Sequence, residues 1–382
     1  MVKSFLREPL GYVCLALAAT LAAPAAYAVS DVLETPARTT DLAPESLLND
    51  ATRIGDRIVA IGERGHIIFS DDEGATWQQA EVPVSVTLTA VDFGTAQHGW
   101  AVGHSGVVLH SADAGESWQL QLDGLQAAEL IIESKQQQIA QMETQIAQAP
   151  EEDVADLEWA LDDLSFALEN TEADLEVGPV NPFLDVWFED ARHGFVVGAY
   201  GMMFRTTDGG DSWQDWSPQI DNAWNLHYNA ITRIADETLV LVGESGQIHV
   251  SEDGGDTWQK RESPYSGSLF GVSPTGTTGE MLIFGLRGNT LFSSNLGQSW
   301  SIVPNQGNAT LNHAAVANGG RITLVGNGGA VLHSNDGGES FQAHFRSDRD
   351  GIMAVVPLAE RNLLLFGEGG VKTTDARGRN LN

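Results

Sequence analysis

The chain has 382 residues, with 52 acidic against 20 basic side chains and a formal net charge of −32. A polyanion of this strength repels phosphate backbones, which excludes nucleic acid as a partner and favours a basic protein surface. The single cysteine, Cys14, excludes an internal disulfide framework and any thiolate metal site.

Lys3 and Arg7 precede an apolar stretch over 10–23, and Ala26-Tyr27-Ala28 follows it. This is the pattern of a secretory signal, with Ala26 and Ala28 as the cleavage residues. Cys14 falls inside the removed segment and lacks the small-residue lead-in of a lipoprotein. No later stretch reaches the length of a membrane-spanning helix, so the exported chain is expected to be soluble and not itself membrane-spanning. Its location is then the periplasm or the exterior, or a lumen if the host is photosynthetic. The chain divides into a signal over 1–28, a first propeller portion over 29–122, a helical insertion over 123–178, and a second propeller portion over 179–382.

A unit of about 41 residues recurs along both propeller portions. Its first landmark is a Gly-x-x-Gly after an apolar strand, starting at Gly62, Gly103, Gly198, Gly243, Gly285, Gly326 and Gly367. Its second is an acidic turn ending in an aromatic, the Asp box. The turn residues are Asp72, Asp113, Asp208, Asp253, Asn295 and Asp336, and the aromatics are Trp77, Trp118, Trp213, Trp258, Trp300 and Phe341. The second unit shows four strands over 88–93, 99–102, 107–111 and 117–122. The fold predicted is all-β, a seven-bladed β-propeller of the broad WD40/YVTN-like kind. The last unit, 351–375, lacks its final strand, and residues 32–40 are the expected donor that closes the ring.

An Asp side chain bonds backbone N–H groups just downstream, and the glycines supply positive φ. Recurrence in every unit marks the Asp boxes as structural rather than as metal or catalytic sites. The histidines also follow the repeat: His98 matches His193, and His110 matches His333. No H-E-x-x-H, C-x-x-C, nucleophile elbow or P-loop occurs. No cofactor is expected.

Between the second and third units, residues 125–176 switch to helical spacing. Leu125, Ile132, Ile139 and Ile146 recur in one half, with Ala128, Lys135, Met142 and Ala149 at the alternate seam positions. Val154, Leu157, Leu161, Leu164, Leu168 and Leu175 recur in the other. Pro150 and the acidic run after it separate two helices of an antiparallel coiled-coil hairpin. This stretch holds 14 acidic residues and one lysine. The hairpin is read as an arm that grips a partner, with a solvated spacer as the plainer alternative. Strand order places it on the face that carries the Gly-x-x-Gly loops, opposite the Asp boxes.

The loops vary on a fixed frame, which is how a propeller presents a binding surface. Candidate partner-binding residues are Arg64, His104, Tyr200, Glu244, Arg287 and Glu368, together with Arg205.

The register of Gly-x-x-Gly, strand and Asp box, as in Thr206-Thr207-Asp208-Gly209-Gly210-Asp211-Ser212-Trp213, resembles the photosystem II stability and assembly factor family. The resemblance spans 47–375 apart from the insertion, and the acidic hairpin is not part of the basic family pattern. It implies an exported, non-catalytic scaffold that assists a membrane-associated complex, a transporter being one candidate. The partner would be a membrane-protein complex or its periplasmic domain. Family members use a basic patch on the propeller, which Arg64, Arg205 or Arg287 would match by repeat position.

The alternative is a sialidase-like glycoside hydrolase or a carbohydrate-binding propeller. A sialidase needs an arginine triad, a tyrosine nucleophile with a nearby glutamate, and an acid/base aspartate. Arg53, Tyr200 and Tyr228 are the residues that would have to serve it.

Overall fold

The computed structural model describes residues 31–178, 181–304, 307–317, 319–359 and 362–381. Ala26, Ala28 and Cys14 lie outside them.

From Val32 onward the chain forms seven antiparallel sheets, six of four strands and one of three. Each sheet is a meander. Its first strand lines the axis and contacts the first strands of both neighbouring blades, and the strand of the seventh (Ile352–Pro357) returns to that of the first (Leu48–Ile54). The blades run over 48–79, 88–122, 183–215, 228–260, 269–302, 311–345 and 352–374.

Position in the blade explains strand composition. Second strands such as Gly99–Gly103, Gly194–Gly198 and Met281–Gly285 are buried at every residue. They are covered on both faces by adjacent blades, so they read as continuous apolar runs rather than alternating ones. Fourth strands such as Gln78–Gln79, Gln214–Asp215 and Gln259–Lys260 are short and polar. Short polar edges resist pairing with another chain.

The ring closes without a shared blade. Blade 7 has three strands, and residues 32–40 do not complete it. They run instead beside blade 1: Ala37 N–H donates to Val82 O, Ser85 N–H donates to Val32 O, and Thr40 N–H donates to Gln79 Oε1. At the open edge of blade 7 the chain's own tail turns back and bridges to the third strand at Thr374. Asp375 Oδ1 accepts the N–H groups of Arg377 and Arg379, turning the chain so that Asn380 bridges to Thr374. Closure then rests on apolar packing of Leu48, Ile58 and Ile68 against Ala354, Val356, Leu364 and Phe366. Two bonds reinforce it, from Val371 N–H to Pro44 O and from Arg53 Nη2 to Pro357 O.

The insertion forms α1 (Gly124–Ile146) and α2 (Glu151–Val177). Asp123 caps α1 by accepting Gln126 N–H, while the Gln126 side chain accepts Asp123 N–H. The two helices pack on each other as a hairpin. Its root meets the Gly-x-x-Gly face, where Gly124 lies against Gly106. The first turns of α1 then follow the outside of the ring rather than projecting from it. Ala127, Leu130 and Ile131 pack with Leu122, Met202 and Trp213, and Gln126, Glu129 and Glu133 share a cleft with Asp211 and Ser212. Leu125 accordingly lies outside the seam and is exposed. No helix among the described residues is long and apolar enough to cross a membrane.

Candidate protein-binding surface

Seven Gly-x-x-Gly loops present side chains from one face of the ring. In each, the residue after the first glycine donates its N–H to the carbonyl just ahead of the blade's first strand. The pairs are Glu63 to Leu47, His104 to Thr87, Ala199 to Pro182, Glu244 to His227, Leu286 to Ser268, Asn327 to Thr310 and Glu368 to Gly351. That approach forces the first glycine, since a Cβ on Gly62 or Gly326 would overlap the Leu47 or Thr310 oxygen. The third position turns left-handed, with φ of 56° at Arg64, 55° at Tyr200 and 58° at Arg287. These three side chains therefore stand out from a fixed backbone, and all three are exposed.

The other candidates divide. His104 is exposed at the root of the arm. Glu244 and Glu368 are tied to their own blades, because their carboxylates accept the backbone N–H groups of His227 and Gly351. Arg205 is not on this face. It lies on a third strand (Met203–Thr206), stacks over Phe195 and Trp216, and pairs with Asp256 of the next blade's Asp box at 2.6 Å. Arg57 ties blade 1 to blade 2 in a similar way through Asp71, Glu116 and the Ala114 carbonyl.

Trp224 is a surface residue that the repeat pattern does not reveal. It is 85% exposed, and Tyr200 is 60% exposed. Trp224 lies in the link between blades 3 and 4, whose Asn222 and Asn225 abut Gly201 of the Tyr200 loop. Asn222 exchanges two bonds with the Leu226 backbone and accepts one from Gln247 Nε2. Tyr200 meets His227 edge-on at 4.9 Å. The aromatic pair is thus mounted on a braced frame. A tryptophan between the fourth strand of one repeat unit and the first strand of the next was the available sequence signal.

The Asp boxes spend their polar groups internally. Asp72 Oδ1 accepts Thr76 N–H and the Ser70 hydroxyl, and Oδ2 accepts the Thr76 hydroxyl. The same pattern holds at Asp113, Asp208, Asp253 and Asp336. Hydrogen bonds from Thr76 hold Asp72 down at about 2, and bonds from Ser334 and Ser340 hold Asp336 there too. The aromatics face inward: Trp77 meets Phe366 of blade 7 and Trp258 meets Phe195 of blade 3, both edge-on. Trp118 and Trp213 pack on Phe93 and Phe188 of their own blades. Trp300 packs in the apolar layer between blades 4 and 5, and Phe341 in that between blades 5 and 6.

The axial cavity gathers Asp50, Asp92, Asp185 and His313. Each bonds a backbone N–H of the following blade: Asp50 to Val91, Asp92 to Phe188, Asp185 to Ile231 and His313 to Val355. Burial pushes all three carboxyls up, Asp92 to about 6. The described lining holds no arginine or tyrosine. Tyr228 is fully buried, and burial raises its hydroxyl far from nucleophile range. Arg53 is engaged at the junction of blades 1 and 7. The arginine, tyrosine and carboxylates of a sialidase centre are not brought together.

A family described as Photosynthesis system II assembly factor YCF48 matches residues 36–159 and 166–303. The chain belongs to this family. The match runs into both helices of the hairpin, which the sequence reading set outside the family pattern. A chloroplastic photosystem II stability/assembly factor, HCF136 of Cyanidioschyzon merolae, is 42% identical over 48 residues, which is 12% of this chain and 11% of that protein. Among solved structures, YCF48 bound to a D1 peptide superposes with a TM-score of 0.58 at 16% identity, covering 87% of this chain and 93% of that one. YCF48 from Cyanidioschyzon merolae gives 0.56 at 14% identity over 86% and 94%. The WD40 propeller domain of Doa1 gives 0.58 at 8% identity over 90% and 95%. At these identities the superpositions show the shared propeller fold.

Proposed function

We propose that the chain is an exported, non-catalytic scaffold that holds a protein client during assembly or stabilisation of a membrane-associated complex. The observation that carries this reading is how the polar groups are distributed. The Asp boxes and axial acids are consumed by bonds within and between blades, while Arg64, Tyr200, Arg287 and Trp224 stand outward from braced loops on one face. Membership of an assembly-factor family supports the role, and a YCF48 relative solved with a D1 peptide supports a peptide or protein as the client. The strong negative charge favours a client with basic surface. The N-terminal pattern over 1–28 supports export to the periplasm, or to a lumen in a photosynthetic host. A transporter or another envelope complex fits the same chemistry.

A photocrosslinker placed at position 224 in intact cells tests this reading. It should capture a subunit of a membrane complex, and one placed at Glu339 on the Asp-box face should not. Equal capture from both faces would refute the assignment of the surface. Hydrolysis of sialosides or aryl glycosides that is abolished by Tyr200→Phe would replace the scaffold with an enzyme.

A further inference from the structure

We propose that the outward face of α2 is a docking surface for a basic amphipathic helix of a partner protein, with Trp159 and Phe166 as its anchors. The α2 seam, from Val154 through Leu157, Leu161, Leu164 and Leu168 to Leu175, is half-buried at every one of these positions, so the hairpin is already held together. Trp159 and Phe166 stand outside that seam, 74% and 65% exposed. Two large rings in water do nothing for a hairpin whose seam is satisfied. They are seven residues apart, which puts them on one side of the helix about 10.5 Å apart along its axis. That is the i, i+7 spacing with which helices engage an apolar partner.

Charge selects the occupant. Asp162 and Asp163 lie between the two rings, and Asp156 lies one turn before Trp159. Among the described residues, no α2 carboxylate forms an ion pair. The arm's one lysine, Lys135, is half-buried on α1 and faces Asp215 of blade 3. A second copy would bring the same carboxylates against themselves, and an anionic lipid surface would be repelled. A ridge of apolar residues flanked by Lys or Arg meets both the rings and the acids.

This inference rests on the scaffold reading but concerns a different surface from the loop face. Its test uses the full chain and a fluorescein-labelled Leu/Lys amphipathic helix of about five turns, with a Leu/Glu peptide of the same apolar pattern as control. Anisotropy should show binding of the Leu/Lys peptide alone. Trp159→Ser with Phe166→Ser should weaken it about tenfold or more, with helix content and Tm unchanged. Asp162→Asn with Asp163→Asn should weaken it and flatten its salt dependence. Failure of the Leu/Lys peptide to bind, or equal affinity for the Trp159/Phe166 double variant, would overturn the proposal. So would a dimer in sedimentation that the double variant abolishes, or binding to phosphatidylglycerol vesicles that it abolishes. If position 224 still crosslinks a client while the chain ignores the peptide, this inference alone fails and the scaffold reading stands.

Discussion

Asp92 Oδ2 accepts the backbone N–H of Phe188 at 2.8 Å, bonding an axial carboxylate of blade 2 to the innermost strand of blade 3. Burial is the largest influence on this group and raises it to about 6 from 3.8. Between those values the folded chain keeps a proton that the unfolded chain has lost, so stability falls as pH rises through this window. Asp50 and Asp185 are raised for the same leading reason. Thermal unfolding should therefore give a higher Tm at pH 5 than at pH 7.5. Asp92→Asn keeps an oxygen for the Phe188 N–H and removes the buried charge, so it should raise the Tm at pH 7.5 and narrow the gap. A lower Tm at pH 5 in the unaltered chain would contradict this account.

The Asp boxes respond at a lower pH and to different substitutions. Asp208 accepts Ser212 N–H and the Thr206 hydroxyl on one oxygen and the Ser212 hydroxyl on the other. Blade 5 uses Asn295 in the same place: its Oδ1 accepts Ser293 Oγ–H and Ser299 N–H, while Nδ2 donates to Ser299 Oγ. Asp208→Asn should thus cost less than about 1 kcal/mol, and Asp208→Ala about 1–3 kcal/mol, measured by urea unfolding. Because hydrogen bonds depress Asp72 and Asp336 to about 2, their stabilisation is present above about 4 and is lost as pH falls toward 2.

The seven blades were legible because Gly62 and its six counterparts obey a steric rule that leaves a mark in sequence, and because each Asp box needs the same donors and acceptors. The closing strand was misread because an incomplete last unit suggests a donor, whereas blade 7 keeps three strands and the turn at Asp375 bridges its edge locally at Thr374. Arg205 was grouped with loop arginines by repeat position, yet a third-strand residue points to the blade interface. The axial acids Asp50, Asp92 and Asp185 were passed over because a polar residue in a first strand looks like ordinary alternation. Heptad spacing found the α2 seam, but it gave no reason to ask why Trp159 and Phe166 fall outside it.

The arm's root and its tip should differ in what they do for stability. Ala127, Leu130 and Ile131 join Leu122 of blade 2 and Met202 and Trp213 of blade 3 in one apolar cluster, and α2 has no buried residue. Replacing 136–167 with a short turn should leave the Tm of the ring unchanged within a degree or two, while deleting 124–177 should lower it by about 4 °C or more. Differential scanning calorimetry separates the two. Equal Tm values would mean that the root contributes no packing.

The C-terminal tail matters more to the outer edge of blade 7 than the segment before blade 1 does. Arg346 is buried, and besides Asp348 its guanidinium donates to Gly378 O at 2.6 Å and Asn380 Oδ1 at 2.8 Å. Gly378 also packs against Val331 so closely that a Cβ would clash. Truncation after Thr374 would leave part of that guanidinium unsatisfied and bare the strand Lys372–Thr374 as an open edge. The expected cost is about 3 kcal/mol, with self-association visible by size-exclusion chromatography. Deleting 32–40 removes the bonds to Gln79, Val82 and Ser85 and leaves the bridge between Thr374 and Asn380 in place. Hydrogen exchange should therefore show the amides of 372–374 deprotected in the tail truncation and unchanged in the N-terminal deletion. The opposite result would restore residues 32–40 as the closing strand.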